Sequence, residues 1–230
     1  MTTVAIIGAL QEEVAHIAQS LESVERQEAA SLVVFRGTIR TRGGQDVTVV
    51  ATVGGMGLVN AAATTQYLID RHRPDAIIFS GIAGNLNPAL HVNDVVLGGT
   101  LRYLDTDMRL VGQWKPGTEC FHSDGRLLSL ADAALRDMGI HHVIGTIASG
   151  NYFVDTPEKV AQVVRDTGAD AVEMEGAAVA HVAARNDVSP LIIRALSDNA
   201  DTDYEVFREF DISQYADIAA RLAVDIVRRM

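Results

Sequence analysis

The sequence predicts an α/β protein with three layers, in which a central mixed β-sheet is flanked by helices. Short apolar runs rich in β-branched residues alternate with segments of helical spacing through most of the chain. Hydrophobic side chains make up 48% of the 230 residues, which is enough for a large core. No repeat, low-complexity segment or proline-rich linker interrupts them, so residues 1–230 are predicted to form a single domain.

Strands are predicted where short apolar runs are bounded by turn residues. The predicted strands are 4–9, 32–39, 47–53, 76–80, 92–104, 143–148, 169–174 and 190–196. Gly43-Gly44 lies between the second and third runs and predicts a hairpin there. Gly98-Gly99 interrupts the fifth run, and Gly81 to Gly84 is predicted to be a turn that ends the fourth.

Helices are predicted where apolar residues recur three and four positions apart. The predicted helices are 12–21, 57–69, 124–138, 157–167, 175–187 and about 212–229. Ser123 is the predicted N-cap of the third helix, and Pro157 takes a first-turn position where proline is tolerated. The least regular stretch is about 105–122, and a loop of that length in a compact domain is usually functional or at an interface.

Composition excludes several classes of partner. The formal net charge of −11 argues against nucleic acid and anionic membranes, because both attract cationic surfaces. The single cysteine, Cys120, cannot form an internal disulfide, which favours a reducing cytoplasm. No apolar stretch is long enough to span a bilayer, and the first apolar run reaches Glu12-Glu13 too soon for a signal peptide.

No cofactor or metal centre is predicted. The chain contains no HExxH, no CxxC and no spaced histidine pair, and His181 on the apolar face of helix 175–187 is more typical of a core histidine. The glycine-rich segments at 54–57 and 81–84 lack the lysine of a P-loop, and no GxGxxG follows the first strand. Taken singly, such glycines are typical of tight turns.

Carboxylates follow the ends of predicted buried strands. Glu173 and Glu175 flank Met174, and the strand that contains Arg194 ends at Asp198. An acidic residue at such a position is costly unless it has partners or a function. Carboxylates beside an apolar methionine suit a sugar, whose hydroxyls donate to the acid and whose ring packs on sulfur.

Simpler interpretations of these acids remain open from spacing alone. Asp198 could serve as an N-cap or as the ion-pair partner of Arg194. Glu12 and Glu13 could both be solvated residues of a first helical turn, where the helix dipole favours acids.

The ordered motifs resemble one known family. They are IIGALQEEV (6–14), GGMG (54–57), SGIAGNL (80–86), VNDVV (92–96), ASGNYFV (148–154), VEMEGAAVAHVA (172–183) and RALSDNAD (194–201). In this order they resemble the 5′-methylthioadenosine/S-adenosylhomocysteine nucleosidases of the purine nucleoside phosphorylase superfamily. The resemblance implies a mixed sheet that is partly closed into a barrel, hydrolysis of an adenine nucleoside, and a homodimer.

The resemblance also implies roles for individual residues. Glu13 matches the general base that activates water, and Asp198 matches the acid at N7 of the departing adenine. Ser197 matches the residue that orients this aspartate, and Arg194 matches the arginine beside the water and Glu175. Glu175 itself matches the ligand of the ribose hydroxyls.

The remaining substrate-binding positions are implied in the same way. Met174 matches the apolar floor under the sugar, Phe153 the ring that stacks on the purine, and Val154 the backbone that reads the adenine edge. Further positions implied to line the site are Leu10, Met56, Ile82, Ala83, Gly84 and Phe207.

Four departures from the family pattern leave the substrate open. Ile82 stands where the pattern has serine, Leu10 where it has methionine, and Asn199 where many members have an apolar residue. The 105–122 segment, which contains Trp114, also differs from familiar versions. In the family this segment reaches the neighbouring subunit's pocket. Alternatives are a phosphorolytic nucleoside phosphorylase, a futalosine-type hydrolase and a non-catalytic purine-binding module.

Overall fold

The structure is a computed structural model that describes residues 2–8, 11–198, 200 and 213–230. Its strands are β1 (Thr3–Gly8), β2 (Glu22–Ala29), β3 (Leu32–Arg40), β4 (Asp46–Val53), β5 (Ala76–Asn85), β6 (Val95–Tyr103), β7 (His142–Ser149), β8 (Ala171–Glu173) and β9 (Ser189–Asp198). Its helices are α1 (Gln11–Gln19), α2 (Leu58–His72), α3 (Met108–Val111), α4 (Gly125–Asp137), α5 (Pro157–Thr167), α6 (Gly176–Arg185) and α7 (Ser213–Arg229).

The strands form one mixed sheet that closes on itself at one end. Their order is β2-β3-β4-β1-β5-β8-β7-β6-β9, and β9 also pairs with β5. The strands β5, β8, β7, β6 and β9 therefore complete a barrel, while β2, β3, β4 and β1 extend from it as an open sheet. This confirms the mixed, partly barrel-like sheet that the family resemblance implied.

Alternating side chains of the strands build two cores, one on each face of the sheet. In β1, Val4 and Ile6 pack against α1, α4 and α7, whereas Ala5 and Ile7 pack on the face that α2 and α6 cover. Strands buried on both sides read as continuous apolar runs, which is why the sequence identified them. The three predicted layers are confirmed.

The predicted turn at Gly81–Gly84 is wrong, because β5 continues through it. Residues 81–84 pair with β9 in parallel register, and Gly84 and Asn85 pair with β8 in antiparallel register. Pairing on both sides satisfies the backbone groups that a turn would have exposed. A register shift between Ala83 and Gly84 accommodates the change of neighbour.

The predicted N-cap of α4 is also wrong by one residue. The Asp124 side chain accepts hydrogen bonds from the backbone N–H groups of Arg126 and Leu127, which makes Asp124 the cap. The hydroxyl of Ser123 instead accepts from the Ile192 N–H at 3.1 Å. The serine that the local pattern assigned to the helix cap therefore binds the backbone of β9.

The strand β2 was missed by the sequence analysis. Half of its residues are charged and all but Ala29 are exposed, so they show no apolar signal, and pairing with β3 at the sheet edge makes them a strand. The other elements match their predictions within a few residues, although β8 is only Ala171–Glu173 and the 105–122 segment contains the short helix α3. Residue 212, the predicted start of the last helix, lies outside the described residues.

The topology gathers several strand ends at one edge. Strands β1, β4, β5 and β9 run parallel, so their carboxyl ends meet there. Ligands of open α/β sheets bind at this edge. Among the described residues, no helix has both the length and the apolarity to cross a bilayer.

Candidate active site

Glu13 lies in the first turn of α1, directly after β1, and is completely buried. Its carboxylate fits between two glycines of neighbouring strands, Gly8 at the end of β1 and Gly81 within β5. A Cβ atom at Gly8 would lie 2.9 Å from Glu13 Oε2, and one at Gly81 would lie 2.8 Å from Oε1. Its neighbour Glu12 is exposed. The structure therefore separates the two glutamates that spacing alone left equivalent, and it buries Glu13 where β1 ends.

Arg194 lies in β9 and is fully buried beside Glu13. Its Nη1 would lie 3.4 Å from a Cβ at Gly81, which is the position that Glu13 also approaches. Its guanidinium carbon sits 4.0 Å from the centroid of the Phe79 ring, in cation–π geometry. The Nε–H has no hydrogen-bond partner among the described residues. A buried donor of this kind is normally satisfied by water or ligand.

Glu173 supplies the ion-pair partner of Arg194. The distance from Arg194 Nη2 to Glu173 Oε2 is 2.6 Å, and both side chains are almost completely buried. The carboxylate also accepts hydrogen bonds from the Ser149 hydroxyl and from the backbone N–H groups of Glu175 and Gly176. The sequence singled out Glu173 as costly to bury but assigned it no role of its own.

Glu175 is a buried carboxylate at the start of α6. Its Oε1 accepts from the Gly57 N–H at 2.7 Å, and its Oε2 accepts from the Met174 N–H at 3.3 Å. Burial raises the pKa of Glu175 to about 7, and the nearby charge of Glu173 adds to this rise, although Arg194 and the two N–H groups oppose it. Glu175 therefore changes protonation state near neutral pH.

Asp198 ends β9 next to Ser197. The Ser197 hydroxyl donates to Asp198 Oδ2 at 2.7 Å, and the Ala200 N–H donates to Oδ1 at the same distance. A Cβ at Gly84 would lie 3.3 Å from Oδ1, so this glycine leaves room for the carboxyl group. The structure thus pairs Ser197 with Asp198, the arrangement that the resemblance implied.

The segment after β7 carries Phe153, which is half-buried, and Val154, which is buried. Lys159 of α5 holds this segment in place, since its Nζ donates to the Phe153 carbonyl at 3.1 Å and to Asp155 Oδ1 at 2.6 Å. The sequence analysis missed Lys159. Its position four residues after Asp155 at a helix start was the available signal.

The other predicted positions are spread around this edge. Met174 is half-buried, Met56 is 51% exposed, and Ala83 is buried. Ile82 packs against the core cluster that includes Val14 of α1. Leu10 and Phe207 lie outside the described residues.

The aromatic end of β6 contacts α6. The Tyr103 hydroxyl lies 3.2 Å from His181 Nδ1, and the Phe121 ring stacks on His181 with centroids 4.5 Å apart. Burial lowers the pKa of His181 below its usual value. This histidine is therefore a packed side chain, as the sequence suggested.

Within the 105–122 segment, two large apolar side chains are exposed. Trp114 is 78% exposed and Leu110 is 64% exposed.

We call Glu13, Glu173, Glu175 and Asp198 the carboxylate edge. A cavity of about 680 Å³ lies elsewhere, between α1, α4 and α7. Its described lining includes none of the predicted site residues but does include Arg42, Asp137, Asp225 and Arg229, which we call the α1–α7 face. The size of this cavity therefore does not indicate the functional site. The buried acids and the raised pKa at the carboxylate edge are the better indicators.

A model of the phosphorylase superfamily matches residues 3–230, which places the chain in that superfamily. A 5′-methylthioadenosine/S-adenosylhomocysteine nucleosidase from Bacillus licheniformis is 36% identical over 99% of this chain and 97% of its own length. The enzyme of the same name from Neisseria meningitidis, solved with methylthio-immucillin-A, has a TM-score of 0.91 at 32% identity, with both chains fully covered. Within the superfamily, this chain belongs to the family of these nucleosidases, which confirms the resemblance in its motifs.

A related hydrolase has a similar fold. The native futalosine hydrolase of Helicobacter pylori strain 26695 has a TM-score of 0.87 at 26% identity, over 100% of this chain and 98% of that one. The fold therefore accommodates more than one nucleoside hydrolase.

Proposed function

We propose that this chain hydrolyses the N-glycosidic bond of 5′-methylthioadenosine and S-adenosylhomocysteine, releasing adenine and the 5-substituted ribose. The observation that carries the proposal is that Glu13 lies beside Gly81 and Asp198 beside Gly84 of the same strand, with Glu175 close enough to Arg194 to feel its charge. The relatives of the chain bear the name of these nucleosidases. Buried carboxylates at a ligand-binding edge are costly to folding, and a catalytic task explains why they are there.

The proposed reaction divides two charges between these groups. Water attacks the anomeric carbon and gives its proton to Glu13, while the glycosidic electron pair leaves with adenine and Asp198 supplies a proton or hydrogen bond at N7. Positive charge develops on the ribose in such a reaction, and fixed carboxylates stabilise it. Glu175 in its ionised form would accept hydrogen bonds from the ribose hydroxyls. The Ser197 hydroxyl would keep the Asp198 carboxyl in position.

Water rather than phosphate is the proposed nucleophile. The segments 8–14 and 54–57 carry no lysine or arginine, and Ile82 takes the place of a hydroxyl. The buried guanidinium of Arg194 is already paired with Glu173. A phosphate ion needs cationic or hydroxyl partners that these positions do not offer.

A substrate panel with and without phosphate tests the proposed function. We expect adenine and the free sugar at a rate independent of phosphate. A sugar 1-phosphate as the main product would show phosphorolysis, and tight binding without adenine release would show a purine-binding module. Futalosine belongs in the panel, because a Helicobacter pylori futalosine hydrolase has a similar fold and the isoleucine at 82 leaves the preferred nucleoside open.

We also infer that the chain is one nucleosidase domain over 1–230 that works in the cytoplasm as a homodimer. Exposed Trp114 and Leu110 support an interface through the 105–122 segment, since aromatic anchors are common at interface centres. In a symmetric dimer this segment would cover the 5′ end of the partner's site.

Two measurements test the dimer and the shared site. Sedimentation at micromolar concentration should show the dimer. Trp114→Ala should weaken binding of substrates with apolar 5′ groups more than binding of adenosine. A fully active monomer would refute the shared site.

A further inference from the structure

Glu173 is more heavily hydrogen-bonded than capping a helix requires. Its Oε2 accepts from Arg194 Nη2 at 2.6 Å, from the Glu175 N–H at 3.0 Å and from the Gly176 N–H at 2.8 Å. Its Oε1 accepts from the Ser149 hydroxyl and again from the Gly176 N–H. Each oxygen of this carboxylate therefore has protein donors although the side chain is only 3% exposed.

These contacts join three elements through one charge. Ser149 ends β7, Arg194 lies in β9, and the N–H groups belong to the start of α6. The Ser149 hydroxyl also accepts from the Ala177 N–H at 2.8 Å, which extends the network into the first turn of the helix. A displacement of the Glu173 carboxylate would therefore move Arg194 and Glu175 together.

We propose that Glu173 is a positioning residue of the glycosidase site, whose buried carboxylate holds Arg194 beside Glu13 and holds the backbone of Glu175 at the start of α6. This inference rests on the proposed function. Glu173 acts through its neighbours, since its oxygens are occupied by protein donors. Removing one partner of a buried, hydrogen-bonded pair leaves the other without compensation, so the arginine would reorient.

The charge of Glu173 also acts on the protonation of Glu175. Burial is the first cause of the raised pKa of Glu175, and the charge of Glu173 is the second, with Arg194 opposing both. Tyr103 of β6 also faces Glu173, but its pKa is raised by burial, so it is neutral across the physiological range. Removal of the Glu173 charge should therefore lower the pKa of Glu175 toward that of an ordinary glutamate.

The experiment compares kcat and kcat/KM for 5′-methylthioadenosine from pH 5 to pH 9 in the parent, Glu173→Gln, Glu173→Asp and Ser149→Ala. Glu173→Gln should lower kcat by at least about tenfold and should move the acid limb of the profile to lower pH. Glu173→Asp keeps the charge but shortens the side chain by one methylene group, so kcat should fall while the acid limb moves less than in Glu173→Gln. Ser149→Ala removes a neutral donor and should leave the limb unchanged.

Several outcomes would overturn the inference. Glu173→Gln with the parent's kcat and an unmoved acid limb would show that the contact only supports the fold. If Glu173→Gln does not fold, Glu173→Asp decides, and a parent-like kcat in that variant refutes positioning. A parent that releases no adenine refutes the proposed function, and this inference with it, whereas an active parent with indifferent Glu173 variants refutes only the role of Glu173.

Discussion

The carboxylate edge and the α1–α7 face both gather acids and arginines, but they place them in opposite environments. On the α1–α7 face, Asp225 is bracketed by Arg42 at 2.8 Å and Arg229 at 2.7 Å, and the Arg42 side chain is 58% exposed. At the carboxylate edge, Glu13 is completely buried, and Glu173 and Glu175 lie close enough to repel each other. Acids paired at the surface contribute modestly to stability, whereas crowded buried acids reduce it.

The pKa values of the two regions show the same contrast. Burial alone would raise the pKa of Asp225, but hydrogen bonds from Arg229 and Arg42 outweigh it and lower the value below its usual range. The pKa of Glu175 instead rises to about 7, because burial and the charge of Glu173 exceed the opposing effect of Arg194. Whether an acid has a lowered or a raised pKa therefore depends on the balance between nearby cations, nearby acids and burial, and not on the number of acids in the region. A raised pKa near neutrality is typical of a catalytic or binding site.

The largest effect is expected at the leaving-group end of the carboxylate edge. Asp198→Asn can still donate a hydrogen bond to N7 but cannot transfer a proton, so kcat should fall in the upper part of a roughly 10²–10⁴-fold range. Steady-state assays of adenine release measure it. A substrate with a better leaving group should lose much less, and equal losses on both substrates would contradict an acid role for Asp198.

The next largest loss of activity is expected when the buried Glu13 is replaced. Glu13→Gln keeps the size of the side chain and removes its basicity, so adenine release should fall by at least roughly 10²-fold while ligand binding persists. Glu12→Gln is the matched control, because Glu12 is exposed and should tolerate the change. Near-normal turnover of Glu13→Gln would move the base elsewhere.

Glu175 allows a test of the edge's electrostatics without an activity assay. Its folded-state pKa of about 7 lies above the ordinary value of 4.5, so its contribution to stability is fully present below pH 4.5 and is lost as pH rises through 7. The unfolding free energy of the parent should fall relative to that of Glu175→Gln by about 1–3 kcal/mol between pH 4.5 and pH 8. Urea unfolding at several pH values measures this change.

The matched control for this titration is Glu158→Gln on α5, whose side chain is exposed. Its difference from the parent should stay flat over the same range. If the difference in unfolding free energy between Glu175→Gln and the parent is also independent of pH, the pKa of Glu175 is not raised. The proposed electrostatic difference between the carboxylate edge and the α1–α7 face would then be wrong.

The smallest effect is expected on the α1–α7 face. A double-mutant cycle with Arg42→Ala and Asp225→Asn should give a coupling of less than about 1 kcal/mol, because exposed pairs are screened and lose side-chain entropy. Added salt should weaken the coupling further. Chemical unfolding of the four proteins measures it, and a coupling of several kcal/mol would place this face with the buried network around Glu173.

Single residues show how far the sequence pattern reached at the site. Buried strands ending in acids pointed to Glu175 and Asp198, and the family motifs pointed to Glu13, yet spacing alone could not separate Glu13 from Glu12. The two residues differ in the structure because the orientation of α1 places the Glu13 side chain, and not that of Glu12, between Gly8 and Gly81. Lys159 and the Glu173 network were missed because their partners lie on other elements or on the backbone.

The sequence by itself determined the three-layer α/β class, the order of nearly all strands and helices, and the family. These features follow from local hydrophobic periodicity and short motifs, which neighbouring residues carry. Only the tertiary structure decided that β5 runs on through Gly81–Gly84, that β2 pairs at the edge, and that Arg194 binds Glu173. Each of these features depends on contacts between residues that are distant in the chain. The free-energy cost of burying unpaired polar groups decides these contacts, and local conformational propensity does not.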